Sequence, residues 1–491
     1  MHRTWLLADR KWIMGHNNRF APTGEFAFVN GVLEKPEEPF FFRDKPWEAN
    51  GIGGITMLLE AGIHRLWYES WGGEYSDTSL LLCYAESRDG VTFVKPSLGL
   101  IEFNGSTDNN IVFNGDRSEY LGFGGHCLFA DPTSPPEARY RMMYLCSVKR
   151  CNRPSSSMTH MSFAYSADGI HWNNGVPGFR SWINPPVVPF GCDCNCVVYY
   201  DPEKRCYVGY FRTWSETNTR GIGYAQTTDF AHWPTPKTIY EPDELDPLTT
   251  DFYGGTETRY ESGGDVVHYM FIPAYNHLTE KTDMQLAVSR DGEHFRRHQR
   301  SSFVANDRKY DSAASYLQHG IITVGDVCYV YGEGTTVRHN EDTEGFDAYK
   351  GCIYRASVKR DRFTGLRTRS EFEFNLHHFR YEGGALEITL NADIGKDGFI
   401  RCALLQGPEK DVNGLAESNQ RYRAQETTCW YLHDRDVPGF TESDCVPVQG
   451  DSTAHKVGFT NNVPGGKYRG AGFEIRVHMK NATLYSVSVD Q

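Results

Sequence analysis

The chain has 491 residues, 39% of them hydrophobic, and carries a formal net charge of −13 without any basic run. That balance argues against nucleic acid or an anionic membrane surface as partner and leaves neutral ligands as the better fit. Its length predicts two domains, and its 28 Tyr, 29 Phe, 10 Trp and 48 Gly suit strands joined by many turns.

In chain order, residues 1–45 read as a lead-in strand and an irregular loop broken by Pro22, Pro36 and Pro39. The short apolar run Trp5-Leu6-Leu7-Ala8 is flanked by charge, so no signal peptide is expected. Thirteen scattered cysteines, an odd number, predict reduced thiols and a cytoplasmic location. From Pro46 to about residue 370 each segment opens with an inner strand, passes through an aromatic middle strand and ends in a hairpin. The first runs through Gly54-Ile55-Thr56-Met57 and Arg65-Leu66-Trp67-Tyr68, and the second through His126-Cys127-Leu128-Phe129 and Tyr140-Arg141-Met142-Met143. The third opens near Asp193, the fourth near Asp251-Phe252-Tyr253 and the fifth near Asp311-Ser312-Ala313.

The hairpins share one phrase. Ser87-Arg88-Asp89-Gly90-Val91-Thr92-Phe93 returns as Ser166-Ala167-Asp168-Gly169-Ile170-His171-Trp172, as Thr227-Thr228-Asp229-Phe230-Ala231-His232-Trp233 and as Ser289-Arg290-Asp291-Gly292-Glu293-His294-Phe295. A worn fifth copy is Lys359-Arg360-Asp361-Arg362-Phe363. Asp bonds nearby backbone amides and Gly accepts a positive φ, so these residues make a tight turn and are not expected to catalyse. Five hairpins recurring on the scale of a blade predict a five-bladed β-propeller over residues 46–370. Beyond it, Gly384–Asn391, Gly398–Leu405 and Phe473–Met479 alternate with period two, which predicts a β-sandwich over residues 371–491. The expected fold is therefore all-β, a five-bladed β-propeller followed by a C-terminal β-sandwich.

Inner strands of a propeller converge on a central channel, so acids at their openings share one cavity. Two such carboxylates suit glycosidic cleavage, one protonating the leaving oxygen and the other acting as base or nucleophile. This search selects Glu48, Asp193 and Asp311 as catalytic candidates. Trp47, His126, Asn195, Arg212, Trp214, Asp251 and Tyr253 are candidate substrate-binding residues. In Arg212-Thr213-Trp214 alternation puts the arginine and the tryptophan on one face. Cys192, Cys194 and Cys196 read as one packed strand face, since residues two apart lie too far from each other for a common zinc. No cofactor or metal is expected, and a calcium ion in the channel is compatible with the pattern but not indicated.

With its repeated Ser-x-Asp-Gly-x-x-Trp/Phe hairpins the chain resembles the five-bladed propeller glycoside hydrolases, the superfamily of families 32, 43, 62, 68 and 117, in the style of bacterial family 32-like proteins. Gly384-Ala385-Leu386-Glu387-Ile388 and Ala482-Thr483-Leu484-Tyr485-Ser486 resemble the accessory sandwich of the family 32 type. The resemblance implies three carboxylates from three blades and a carbohydrate substrate. No Asn-Asp-Pro-Asn-Gly, Arg-Asp-Pro or Glu-Cys motif occurs where those families carry one, so their residues transfer by position alone. The expected function is a glycoside hydrolase that removes terminal sugars. A non-catalytic glycan-binding propeller, or a sugar lyase or phosphorylase using the same cleft, are the alternatives.

Overall fold

The computed structural model describes residues 2–13, 26–72, 80–115, 120–148, 159–175, 196–339, 351–406, 436–461 and 463–491. The described residues are strands, turns and a few short 3-10 turns. They fall into two units: residues 33–260 with 268–357, and residues 1–32 with 261–267 and 358–491.

The larger unit is a succession of antiparallel meanders. Strands Ile52–Glu60, Ile63–Ser70, Leu81–Ser87 and Ile111–Phe113 pair in sequence order. So do Tyr120–Ala130, Tyr140–Val148, Thr159–Ser166 and Trp172–Asn174, and then Val197–Asp201, Cys206–Trp214, Arg220–Thr227 and Lys237–Tyr240. The remaining strands form an eight-stranded sheet in which Lys281–Ser289 and Ala314–Leu317 touch through one parallel pair, Thr282 with Ala314. Short tight connections favour such antiparallel neighbours.

The copies at Asp89, Asp168 and Asp291 fold as side-chain-capped turns. Ser87 Oγ accepts from the N–H groups of Asp89 and Gly90, and Asp89 Oδ1 accepts from those of Val91 and Thr92. The same bonds recur around Ser166 with Asp168 and around Ser289 with Asp291. The Thr92 and Val91 amides hold the Asp89 carboxyl well below the usual carboxylate range. Gly90, Gly169 and Gly292 have φ of 76°, 77° and 75°, where a Cβ would be strained.

These turns also join neighbouring sheets. Trp67 Nε1 donates to Gly169 O at 2.6 Å and Tyr210 Oη donates to Gly292 O at 2.8 Å. Tyr331 Oη, from strand Val327–Thr335, donates to Gly90 O at 3.0 Å, so the last meander reaches the turn of the first. Phe41 and Glu34 bridge Ile353 and Ser357 on strand Cys352–Lys359 and reinforce that return. Between sheets lie apolar clusters such as Trp67, Leu82, Leu128 and Met142, all almost fully buried, each side chain contributing about 1.5–3 kcal/mol.

The smaller unit is built on a six-stranded sheet. Gly472–Asp490 lies between Thr364–Arg380 and Glu387–Gln406, with Gly450–Lys456 and Phe26–Asn30 outside them. The N-terminal strand His2–Leu6, expected from sequence to lead into the repeats, pairs instead with Gly472–Asp490, His2 opposite Asp490. Buried Asp265 fixes this segment by accepting from the Leu6 N–H and from Trp12 Nε1 at 2.6 Å. Register shifts at Thr368/Glu371, Asn391/Ala392 and Ile394/Phe399 bend the long strands around the core of Trp5, Leu390, Leu404 and Ile475.

Candidate functional site

Where the first strands of the meanders converge, the larger unit encloses a cavity of about 120 Å³. Its wall takes Gly54 and Thr56, Gly125 and His126, Cys196, Thr256 and His319 from first strands or their edges. Two carboxylates line it, Glu69 and Glu333, and both come from second strands. An antiparallel hairpin sets the end of its second strand beside the start of its first. Glu69 therefore stands opposite Gly53, and Glu333 opposite Tyr316.

Glycine makes room for both acids. A Cβ on Gly54 would lie 2.5 Å from Glu69 Cδ, and one on Gly53 would lie 2.7 Å from Glu333 Oε2. Gly54 also has φ of 47° and donates its N–H to Glu333 Oε2 at 2.6 Å. The two carboxyl groups thus abut one residue.

Their environments differ. Glu69 Oε1 accepts from the His126 backbone N–H at 2.8 Å and pairs with His126 Nδ1 at 2.7 Å. His126 Nε2 lies 3.3 Å from Thr56 Oγ1, so both ring nitrogens are engaged. Glu333 has the Gly54 amide as its hydrogen-bond donor, and burial, reinforced by the Glu69 charge, pushes its carboxyl up to about 7 against the pull of that amide. Near neutral pH the Glu333 carboxyl is thus still protonated in part, beside a carboxyl that accepts two hydrogen bonds. Trp71 adds an aromatic wall. Cys127 also lines the cavity, but burial pushes its thiol up to about 12, which removes it as a nucleophile.

The sequence-selected residues are distributed differently. Glu48 is fully buried in the short turn Pro46–Glu48, where it takes Lys95 Nζ at 2.8 Å, Tyr68 Oη at 2.6 Å and the N–H groups of Asp44 and Lys45. Asp311 is likewise buried, bound to Lys35, Ser315 Oγ and the Arg308 N–H. Neither lines the cavity, which corrects the expectation that they face it, and a lysine already balances each charge. Trp47 gives its indole N–H to Asn110 and packs edge-on to Phe103. His126 is the sequence candidate that the structure brings into the cavity.

Arg212, Asp251 and Tyr253 form a separate cluster. Arg212 is buried, donates to Tyr253 O at 2.8 Å and lies 4.0 Å over the Tyr253 ring. Asp251 pairs with Arg220 at 2.8 Å and His277 at 2.9 Å, while Trp214 is 39% exposed. Asp193 and Asn195, with Cys192 and Cys194, lie outside the described residues, and Cys196 is buried. Among the described residues no group of three or more His, Cys, Asp or Glu could hold a metal ion, and no helix is long and apolar enough to cross a membrane.

Glu69 and Glu333 escape a search for acids at strand openings because they close the second strands. The signal available was glycine: Gly51-Ile52-Gly53-Gly54 and Gly124-Gly125-His126 mark where side chains from neighbouring strands need space.

No family model matches the chain, and no curated protein does. Among solved structures it is similar to a protein described with the GH130 family of mannoside phosphorylases, a family said to contain glycoside hydrolases that target β-1,2-mannosidic linkages in Candida mannan. Identity is 12% over 68% of this chain and 95% of that one, with a TM-score of 0.46. A glycosyl hydrolase from Bacteroides ovatus is similar at 12% identity over 68% and 95% of the two chains, with a TM-score of 0.45. An N-acetylgalactosamine deacetylase from F. plautii, solved with blood group B trisaccharide, is similar at 11% identity over 68% and 96%, with a TM-score of 0.43.

Proposed function

We propose that the chain is a glycoside hydrolase that removes a terminal sugar inside the cavity of a five-bladed propeller. The single observation that carries this reading is Glu333, raised to about 7 beside Glu69 across Gly54. A carboxyl raised by burial beside a second carboxyl is the arrangement a general acid needs. In this reading the Glu333 carboxyl gives its proton to the glycosidic oxygen as the bond from that oxygen to the anomeric carbon breaks. Glu69, its Oε1 held by His126, either removes a proton from the attacking water or bonds to the anomeric carbon as the glycosidic bond breaks. In the second case a water that gives its proton to the Glu333 carboxylate then displaces Glu69 and frees the sugar. Carboxyl separations of about 5–5.5 Å give retention and about 6.5–9.5 Å inversion, so the anomer released reports which applies.

Trp71 would stack on the sugar face. Arg212, Trp214, Asp251 and Tyr253 would wall an outer subsite, and Asp193 stays a candidate third carboxylate on its sequence position. The meanders joined through Gly90, Gly169 and Gly292 support five blades, and the bends in the long strands of the smaller unit support a sandwich.

The test is release of a terminal sugar from a panel of neutral oligosaccharides by the wild-type chain, with the products resolved by chromatography. Release with water as the only acceptor supports hydrolysis. Release that needs added phosphate, or glycan binding without any release, sinks it.

A further inference from the structure

The cavity holds a second histidine, which the acid–base pair does not use. His319 follows strand Ala314–Leu317 and lines the wall with Thr256. Its ring is fixed from two directions: Nδ1 bonds to the carbonyl oxygen of Glu257, and the imidazole stacks on Tyr199 with centroids 5.4 Å apart and planes 22° from parallel. The next residue is fixed as well, since the Gly320 N–H donates to Thr258 Oγ1 at 2.9 Å. In the neutral ring the proton sits on Nδ1, which faces a carbonyl, and Nε2 is then the acceptor. Neither the Glu257 bond nor the Tyr199 stack engages Nε2.

An immobilised acceptor in a sugar-sized cavity has a specific use. Sites that hydrogen-bond a substrate hydroxyl strongly reject the analogue that lacks it, because their own polar group is then left unpaired. We propose that His319 reads one hydroxyl of the terminal sugar through Nε2, so that the substrate must carry a free hydroxyl at that ring position. This assignment rests on the carbohydrate reading of the cavity. It makes His319 a specificity-determining residue of the same cavity.

The test separates binding from turnover. Methyl α- and β-glycosides of the common neutral sugars, and the monodeoxy analogues of whichever binds, are titrated by NMR into wild type, His319→Phe and His319→Gln. The phenylalanine keeps the stack on Tyr199 but has no acceptor, whereas the glutamine restores one. The expected result is a single deoxy position that costs wild type about 10- to 100-fold in affinity. His319→Phe should bind parent and that analogue alike, and His319→Gln should recover part of the discrimination. Equal weakening of every analogue by His319→Phe, no effect of either variant, or no glycoside bound by wild type overturns the assignment. Binding with the expected deoxy pattern but no turnover would instead sink the hydrolase reading and leave His319 in its place.

Discussion

Glu69 and His126 are joined twice: one carboxylate oxygen accepts both the backbone N–H of His126 at 2.8 Å and its Nδ1–H at 2.7 Å. Two donors on one oxygen fix the rotation of the carboxylate in the cavity wall. His126→Ala removes the side-chain donor and leaves the backbone one. We expect kcat to fall about 10- to 100-fold with KM changed less than threefold, measured on whichever oligosaccharide the wild type cleaves. A variant with full kcat would show that the second bond does not orient Glu69.

Glu333 should behave as a general acid. Glu333→Gln is expected to lose at least about 10²-fold in rate on a substrate with a poor leaving group. On a dinitrophenyl glycoside, whose leaving group needs no proton, most of that loss should vanish. Because the acid must be protonated, kcat/KM of the wild type should fall as pH rises through about 7. Equal losses on both substrates would point to a structural role.

The same carboxyl carries a stability signature whose sign is opposite to that of an ion-paired acid. Its folded value of about 7 lies above the ordinary 4.5, so the native state holds the proton while the unfolded chain releases it. Stability is therefore lost as pH rises from about 4.5 to about 7, by something on the order of 3–4 kcal/mol, and is level above that. Glu333→Gln should abolish this component, leaving a flatter dependence of Tm on pH between 5 and 8. A variant with an unchanged slope would mean that Glu333 titrates normally.

Glu48 is placed to serve stability, being buried and paired away from the cavity wall. Its carboxylate is buried against Lys95, Tyr68 and two backbone amides. Breaking one side of such a buried pair costs about 3–5 kcal/mol. Lys95→Met should lower Tm by many degrees, while kcat of the fraction that remains folded is retained. Loss of kcat without loss of Tm would return Glu48 to the list of chemical candidates.

Ring closure is tested at Tyr331. Its hydroxyl bonds to the Gly90 carbonyl, and a single hydrogen bond of this type contributes about 0.5–1.5 kcal/mol. Tyr331→Phe should lower stability by that amount in urea titration with an unchanged m-value, leaving activity intact.

The turns were legible because their chemistry is local. Ser87, Asp89 and Gly90 bond within four residues, so the phrase announces its own structure wherever it recurs. The acids were not, because Glu69 and Glu333 acquire meaning only through register: each lies sixteen to seventeen residues from the strand position it faces, Gly53 or Tyr316. Glu48 and Asp311 misled for the converse reason. An acid ahead of a strand reads the same whether it faces a cavity or caps the backbone, and the lysines that decide the matter, Lys95 and Lys35, are distant in sequence. The cavity position of His126 was legible because it stands on an inner strand, where the convergence argument applies directly.

The most direct test of the account needs no substrate. Glutamate side chains labelled with ¹³C at the carboxyl carbon can be titrated by NMR in wild type, Glu333→Gln and Glu69→Gln. The account predicts one resonance with a midpoint near 7, absent from Glu333→Gln and moved downward in Glu69→Gln, where the neighbouring charge is gone. If every glutamate titrates in the ordinary range around 4–5, the cavity holds two ionised carboxylates at neutral pH and no acid, and the proposed chemistry is contradicted.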